Sequence, residues 1–215
     1  MSCSFSRAAS GTPCGAAAAG WRTDAPAPAV SAPRLRRGRL LVAAPHLDDD
    51  PNFRRAVVLV LEHADEGALG IVLNQPMEVR AAEALPEPLG SVLSEGSQVF
   101  RGGPVQPGTV IVIAEFADPS AAGGIMFGAV GILDPDSVEE GRAPAMTRAR
   151  AFGGYAGWGG GQLESEIRQD AWIDAEPLPE DVFTDDPSAL WSRVLGRTGA
   201  SYRLMAMAPE DPLLN

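Results

Sequence analysis

The sequence predicts an α+β fold built on a mixed or mainly antiparallel sheet. Strand-like segments outnumber helix-like ones. Most of them follow one another too closely for the crossover helices that a doubly wound parallel sheet needs. The chain of 215 residues is 45% hydrophobic and 21% charged, enough for one domain with a real core and no need of metals or disulfides as staples. No internal repeat of the kind that marks solenoids or propellers is visible.

Residues 1–37 are low-complexity, rich in Ala, Ser, Pro, Gly and Arg, and cannot bury enough surface to offset their ordering entropy; disorder is expected there. A single domain is expected over 38–207, with 208–215 as a frayed tail. Leu40-Leu41-Val42-Ala43, closed by Pro45, reads as a buried strand. Asp48-Asp49-Asp50-Pro51-Asn52 reads as an Asx turn. Ala56–His63 and Leu69–Asn74 read as an antiparallel hairpin with a loop of about five residues around Asp65-Glu66-Gly67. Their continuous apolarity predicts burial on both faces. Val79–Leu85 is expected as a short helix ended by Pro86. Gln98–Arg101, Thr109–Phe116 and Phe127–Leu133 are expected strands, and Ser137–Arg142 a helical turn. Arg148–Tyr155 reads as a strand that breaks into a glycine cluster. A helix follows from Gln162, with Leu163, Ile167 and Ala171 on one face and Glu164 and Glu166 at its positive end. Trp172–Ala175 looks extended, a second helix runs from Pro187 or Ser188 to Leu195, and Tyr202–Met207 is a helix end or a last strand.

Composition removes several chemistries. All seventeen basic residues are Arg, so no lysine is available as a Schiff base, a general base or a phosphate-loop cation. The two Cys, Cys3 and Cys14, lie in the front segment, and His46 and His63 are the only His. The body therefore has no Cys nucleophile and no zinc ligand set, and no metal or cofactor is expected. Residues 1–39 carry a net +5 and residues 40–215 a net −16. An acidic body repels phosphate backbones and argues against direct DNA binding, leaving only the Arg34–Arg39 segment for it. Apolar runs such as Ala56–Leu61 and Val110–Ala114 fall far short of the ~20 residues of a spanning helix, and no signal-type apolar core stands near the start. A cytoplasmic protein is expected.

Three places carry chemistry-bearing residues. The cluster Phe152–Glu164 holds six glycines in the twelve residues 153–164, yet no Gly-Lys-Ser/Thr follows, so it is no phosphate loop of that type. It reads first as a tight turn with Tyr155 and Trp158 packed into the core, and alternatively as a binding loop. Arg101-Gly102-Gly103-Pro104-Val105 allows close backbone approach, as a strand-ending turn or toward a ligand. Glu62-His63 invites an acid–base reading, but no Gly-x-Ser-x-Gly supplies a nucleophile. Asn74-Gln75-Pro76 reads as hairpin termination before a proline.

Taken in order, these residues resemble the AlgH (YqgE) family of bacterial proteins. The matching stretches are Gly38–Pro45, Asp50–Leu59, Glu62-His63, Gly67–Asn74, Phe100–Val105, Gly154–Trp158 and Gly161–Glu164; each is weak alone, and the ordered set is specific. The resemblance implies a bent mixed sheet forming a pseudo-barrel flanked by helices, and no established enzymatic activity. One branch of the family is named as a regulator of alginate synthesis. Gln75 stands where a basic residue commonly precedes the proline, and Gly160 where Pro is common.

The expected function is a non-catalytic binding module for a small molecule or a protein partner, with a regulatory, transcription-linked role. Its candidate ligand-binding residues are Glu62, His63, Asn74, Arg101, Gly102, Gly103, Tyr155, Trp158 and Gln162, expected to converge on one pocket. The alternative is an enzyme using Glu62 and His63 as an acid–base pair on a small substrate. Oligomeric state is left open.

Overall fold

The computed structural model describes residues 35–207; the expectations for 1–34 and for 208–215 fall outside the described residues. Leu35, the first described residue, has a buried side chain. Ten strands follow: β1 (Leu40–Ala43), β2 (Val57–Ala64), β3 (Gly67–Val72), β4 (Pro76–Arg80), β5 (Gln98–Arg101), β6 (Val105–Phe116), β7 (Gly124–Phe127), β8 (Val130–Ile132), β9 (Met146–Gly159) and β10 (Trp172–Ala175). The α-helices are α1 (Ala81–Ala84), α2 (Pro135–Glu139), α3 (Gln162–Arg168), α4 (Pro179–Val182), α5 (Leu190–Thr198) and α6 (Ala200–Ala206).

The strands form one mixed sheet in the order β10-β1-β2-β3-β9-β6-β8-β7, with β5 also paired to β9 and β4 to β5. Among the described residues only β5–β9 is parallel; every other pairing is antiparallel. The sheet is not closed, since its path ends at β10 on one side and β7 on the other. The long strand β9 joins its two halves. Residues 156–159 pair with β3, while Met146–Gly153 pair with β6.

Both faces of β1 and β2 are buried, as their continuous apolarity predicts. Leu40, Val42, Val57, Leu59 and Leu61 meet Leu190, Trp191, Val194 and Leu195 of α5 on one side. Leu41, Ala43, Val58 and Val60 meet Leu163, Trp158 and Trp172 on the other. Each such aliphatic side chain contributes about 1.5–3 kcal/mol when taken fully out of water. Trp191 Nε1 donates to the Ala43 carbonyl at 2.8 Å, so the largest buried side chain also satisfies its only polar atom.

Several expectations need correction. The β2–β3 loop is a two-residue turn at Asp65-Glu66, because Gly67 already pairs with Ala64; an irregularity between Val60 and Glu62 absorbs the register. Phe127–Leu133 is not one strand, since a turn at Gly128 folds it into the β7–β8 hairpin. The glycine cluster through Gly159 is not a turn but the second half of β9, and only Gly160-Gly161 turn into α3. Helix α5 starts at Leu190, after a turn in which Asp186 Oδ1 accepts from Ser188 and from the Ala189 N–H; it runs through Gly196 to Thr198. Residues 200–206 are helical, which decides the open alternative for the end of the domain. Helix α4 is not among the expected elements, since Pro177 and Pro179 in the sequence favour a break after Trp172–Ala175. Pro179 instead opens the helix, where its missing N–H is harmless, and Asp181 accepts from the Leu178 N–H at its start.

Candidate functional site

The nine candidate residues do not converge on one pocket; the fold places them in three groups. The first ties down the 48–56 turn. Asn74 Nδ2 donates to the Arg55 carbonyl at 2.9 Å, and its Oδ1 accepts from the Val57 N–H at 3.0 Å. Gln75 Nε2 reaches the Asn52 carbonyl at 2.9 Å, and Arg101 Nη2 reaches Asn52 Oδ1 at 2.6 Å. Asn74 and Arg101 thus act on the same loop, and both are occupied by it.

The second group is backbone packing. A Cβ on Gly102 would lie 2.3 Å from the Gly154 carbonyl oxygen, and one on Gly103 2.2 Å from the Tyr155 carbonyl carbon. The Gly102 N–H donates to the Gly153 carbonyl at 2.8 Å. The two glycine-rich stretches are therefore each other's partners across the sheet. Tyr155 is half-buried and packs against the main core, opposite Val105.

The third group lies under α3. His63, Ala68 and Trp158 form one cross-strand row over β2, β3 and β9. Trp158 Nε1 and Trp172 Nε1 both donate to Glu166 Oε2 at 2.8 Å, and Gln162 Nε2 donates to Glu166 Oε1 at 2.9 Å. The Trp158 and Trp172 rings cross edge to face at 5.8 Å, and Phe53 stands 6.3 Å from the first and 5.4 Å from the second. Gln162 accepts in turn from the Gly159 N–H at 3.1 Å. Glu62, one residue before His63, must point to the opposite face of β2 and is exposed. The two residues of the alternative acid–base reading, Glu62 and His63, therefore face opposite sides of β2.

His63 pairs instead with Glu164, Nε2 to Oε1 at 2.6 Å, which ties β2 to the first turn of α3. Glu164's own backbone N–H, and then the His63 imidazole, hold its carboxyl below the usual carboxylate range. A depressed folded pKa contributes stability that is present above the unfolded pKa and lost as pH falls through the folded value. The Tm difference between the native chain and Glu164→Gln should therefore be present above the ordinary carboxylate range. It should close below the ordinary carboxylate range; thermal melts of both proteins over falling pH check this.

A different feature lies where none of the nine sits. A cleft of about 480 Å³ opens on the β4–β5–β9 face, covered from above by residues 184–187. The cross-strand pairs Pro76–Phe100 and Arg80–Gln98 line it. Arg150 of β9 crosses it, its guanidinium 4.3 Å above the Phe100 ring centre. Arg150 Nη1 and Nη2 donate to the Val182 and Thr184 carbonyls at 2.9 and 2.8 Å, holding the covering segment in place. Arg193 supports that segment through the Thr184 hydroxyl at 2.7 Å. Burial pushes the Arg150 pKa below its ordinary value, and the nearby Asp185 carboxylate opposes this. The signal that sequence reasoning missed is the spacing of Arg148 and Arg150. Two cations two residues apart within an otherwise apolar strand must share one face.

Among the described residues no three His, Cys, Asp or Glu side chains are grouped as metal ligands would be, and no helix is long and apolar enough to cross a membrane.

A family model described as AlgH-like matches residues 40–203. A UPF0301 protein of Streptomyces coelicolor is 43% identical over 186 residues, covering 83% of this chain and 94% of that one. One of Thermobifida fusca is 40% identical over 189 residues, again covering 83% and 94%. The crystal structure of a protein from Corynebacterium diphtheriae superposes with a TM-score of 0.73 at 25% identity, over 81% of this chain and 93% of that one. The solution structure of the AlgH protein from Pseudomonas aeruginosa does so with a TM-score of 0.60 at 28% identity, over 83% and 97%.

Proposed function

The chain belongs to the AlgH-like family, and on that premise we propose that it is a non-catalytic cytoplasmic protein that binds a small molecule in the β4–β5–β9 cleft. The observation that carries this is the cleft itself. It has Phe100 in its lining, a cation at Arg150 and a covering segment hung from that cation. A pre-formed concavity with apolar walls and a few placed polar groups is what small-ligand sites have in common. The non-catalytic half of the reading is supported by the two histidines. His63 is engaged with Glu164, and His46 stands exposed in the 45–47 turn, on a different element. A regulatory, transcription-linked role then runs through ligand-dependent contact with a protein partner rather than through DNA, in keeping with the acidic body.

The test is native against denaturing mass spectrometry of the protein purified gently from its own host. A native mass excess is expected, and it should vanish in Gln98→Trp, where the exposed Gln98 is replaced by a ring that fills the cleft. A bare native mass, or an excess that Gln98→Trp leaves unchanged, overturns the reading.

A further inference from the structure

Resting on that reading of the cleft, we propose that its ligand is a small organic anion with a flat apolar body, its oxygens set against the Arg150 guanidinium and its body against Pro76 and Pro187. Three other arginines have side chains that are partly buried. Arg39 is paired with Asp174, Arg148 with Glu115 and Arg197 with the buried Asp181. Arg150 breaks the pattern. Among the described residues no carboxylate lies within ion-pair distance of it, and its bonded partners are two neutral carbonyls. A guanidinium has five N–H donors in a planar fork that matches a carboxylate or phosphate, and two of these five are engaged. Its charge is thus half-buried, held rigidly by the covering segment, and neutralised only at a distance by Asp185.

The surroundings fit the same ligand. Arg80 stands at the exposed rim, its own charge shared with Glu83, and Ser97 and Gln98 add a hydroxyl and a carboxamide to the lining. Pro76, Ala149 and Pro187 supply apolar surface against which a flat body can lie. Elsewhere the body is strongly acidic, so an organic anion is repelled from most of the surface, and in this cleft it meets Arg150, whose bonded partners are neutral. Carboxylate and phosphate share this chemistry, and the choice of probes separates them.

Benzoate, phenyl phosphate and the neutral isostere benzamide are titrated into the full chain and followed by amide chemical shifts in two-dimensional NMR. The anions should shift residues 97–100, 149–150 and 184–187, with one of them about tenfold tighter than benzamide. Raising the salt concentration should weaken the anions and not benzamide. In Arg150→Gln the preference should disappear while benzamide binding persists. The salt series in the native chain stands independently should that variant lose its fold. The better of the two anions identifies the headgroup. Equal binding of benzoate, phenyl phosphate and benzamide in the cleft overturns the anion assignment and leaves the cleft as a binding site. No shift at the cleft with any of the three probes removes both.

Discussion

Replacing Gly103 by Ala should destabilise the fold by about 3–5 kcal/mol, from combined backbone strain and overpacking. Gly103 has a φ of +154°, a region that L side chains rarely adopt. Its missing Cβ faces the Tyr155 carbonyl carbon at 2.2 Å, the Tyr155 oxygen at 2.3 Å and the Ala156 nitrogen at 2.4 Å. All three are backbone atoms of the central strand β9, so no side chain can swing aside to make room. The expected result is a large drop in the denaturation midpoint with an unchanged slope. A loss below about 1 kcal/mol would mean that β9 yields, and the close approach would not explain the glycine. Gly103 entered as a candidate ligand-contact residue; its partner is the backbone of its own sheet.

Replacing Glu166 by Ala should cost about 2–5 kcal/mol, because each of two indole N–H groups left without an acceptor costs about 1–3 kcal/mol. Trp158 and Trp172 are 6% and 4% exposed, so water cannot readily take the carboxylate's place. The Gln162 amide loses its acceptor as well, and with it the orientation that caps the Gly159 N–H. Glu166→Gln retains one carbonyl acceptor and should fall between the native chain and the Ala variant. Urea denaturation followed by tryptophan emission reads both the stability and the environment of the two indoles. If the Ala variant unfolds with the native midpoint, the shared carboxylate contributes nothing. The aromatic cluster of Phe53, Trp158 and Trp172 would then hold by packing alone.

Gly103 lies within a motif singled out from the sequence and Glu166 lies two residues beyond another, and the fold gives each of them a partner within the chain. The sequence shows that glycines and aromatics are concentrated at 152–164, and the reading of Trp158 as a core residue holds. It does not show that Gly102 and Gly103 sit on the backbone of Gly154 and Tyr155, because that contact joins segments far apart in the chain. Asn74 and Arg101 were likewise visible as polar residues at strand ends. Their shared attachment to the 48–56 turn depends on where β5 comes to lie. Glu166 carried only a helix-dipole argument, and its three hydrogen bonds need Trp158 and Trp172 delivered from two different strands.

By itself the sequence determined the α+β class, the strands β1, β2, β3, β5, β6 and β10 to within a few residues, helix α3, two-sided burial of the central strands, and membership of the family. Those features are written in alternation, turn chemistry and ordered motifs, each contained within a few neighbouring residues. The tertiary structure decided which glycines touch, which carboxylate His63 meets, and that a cleft exists at all. It is lined by Pro76, Arg80, residues 96–98 and Phe100, its cation is Arg150, and Thr184, Asp185 and Pro187 border it. These are assembled only when β5 docks parallel to β9. Parallel pairing is a long-range event that no local pattern specifies, so the cleft and the unpaired charge of Arg150 inside it become visible only in the folded chain.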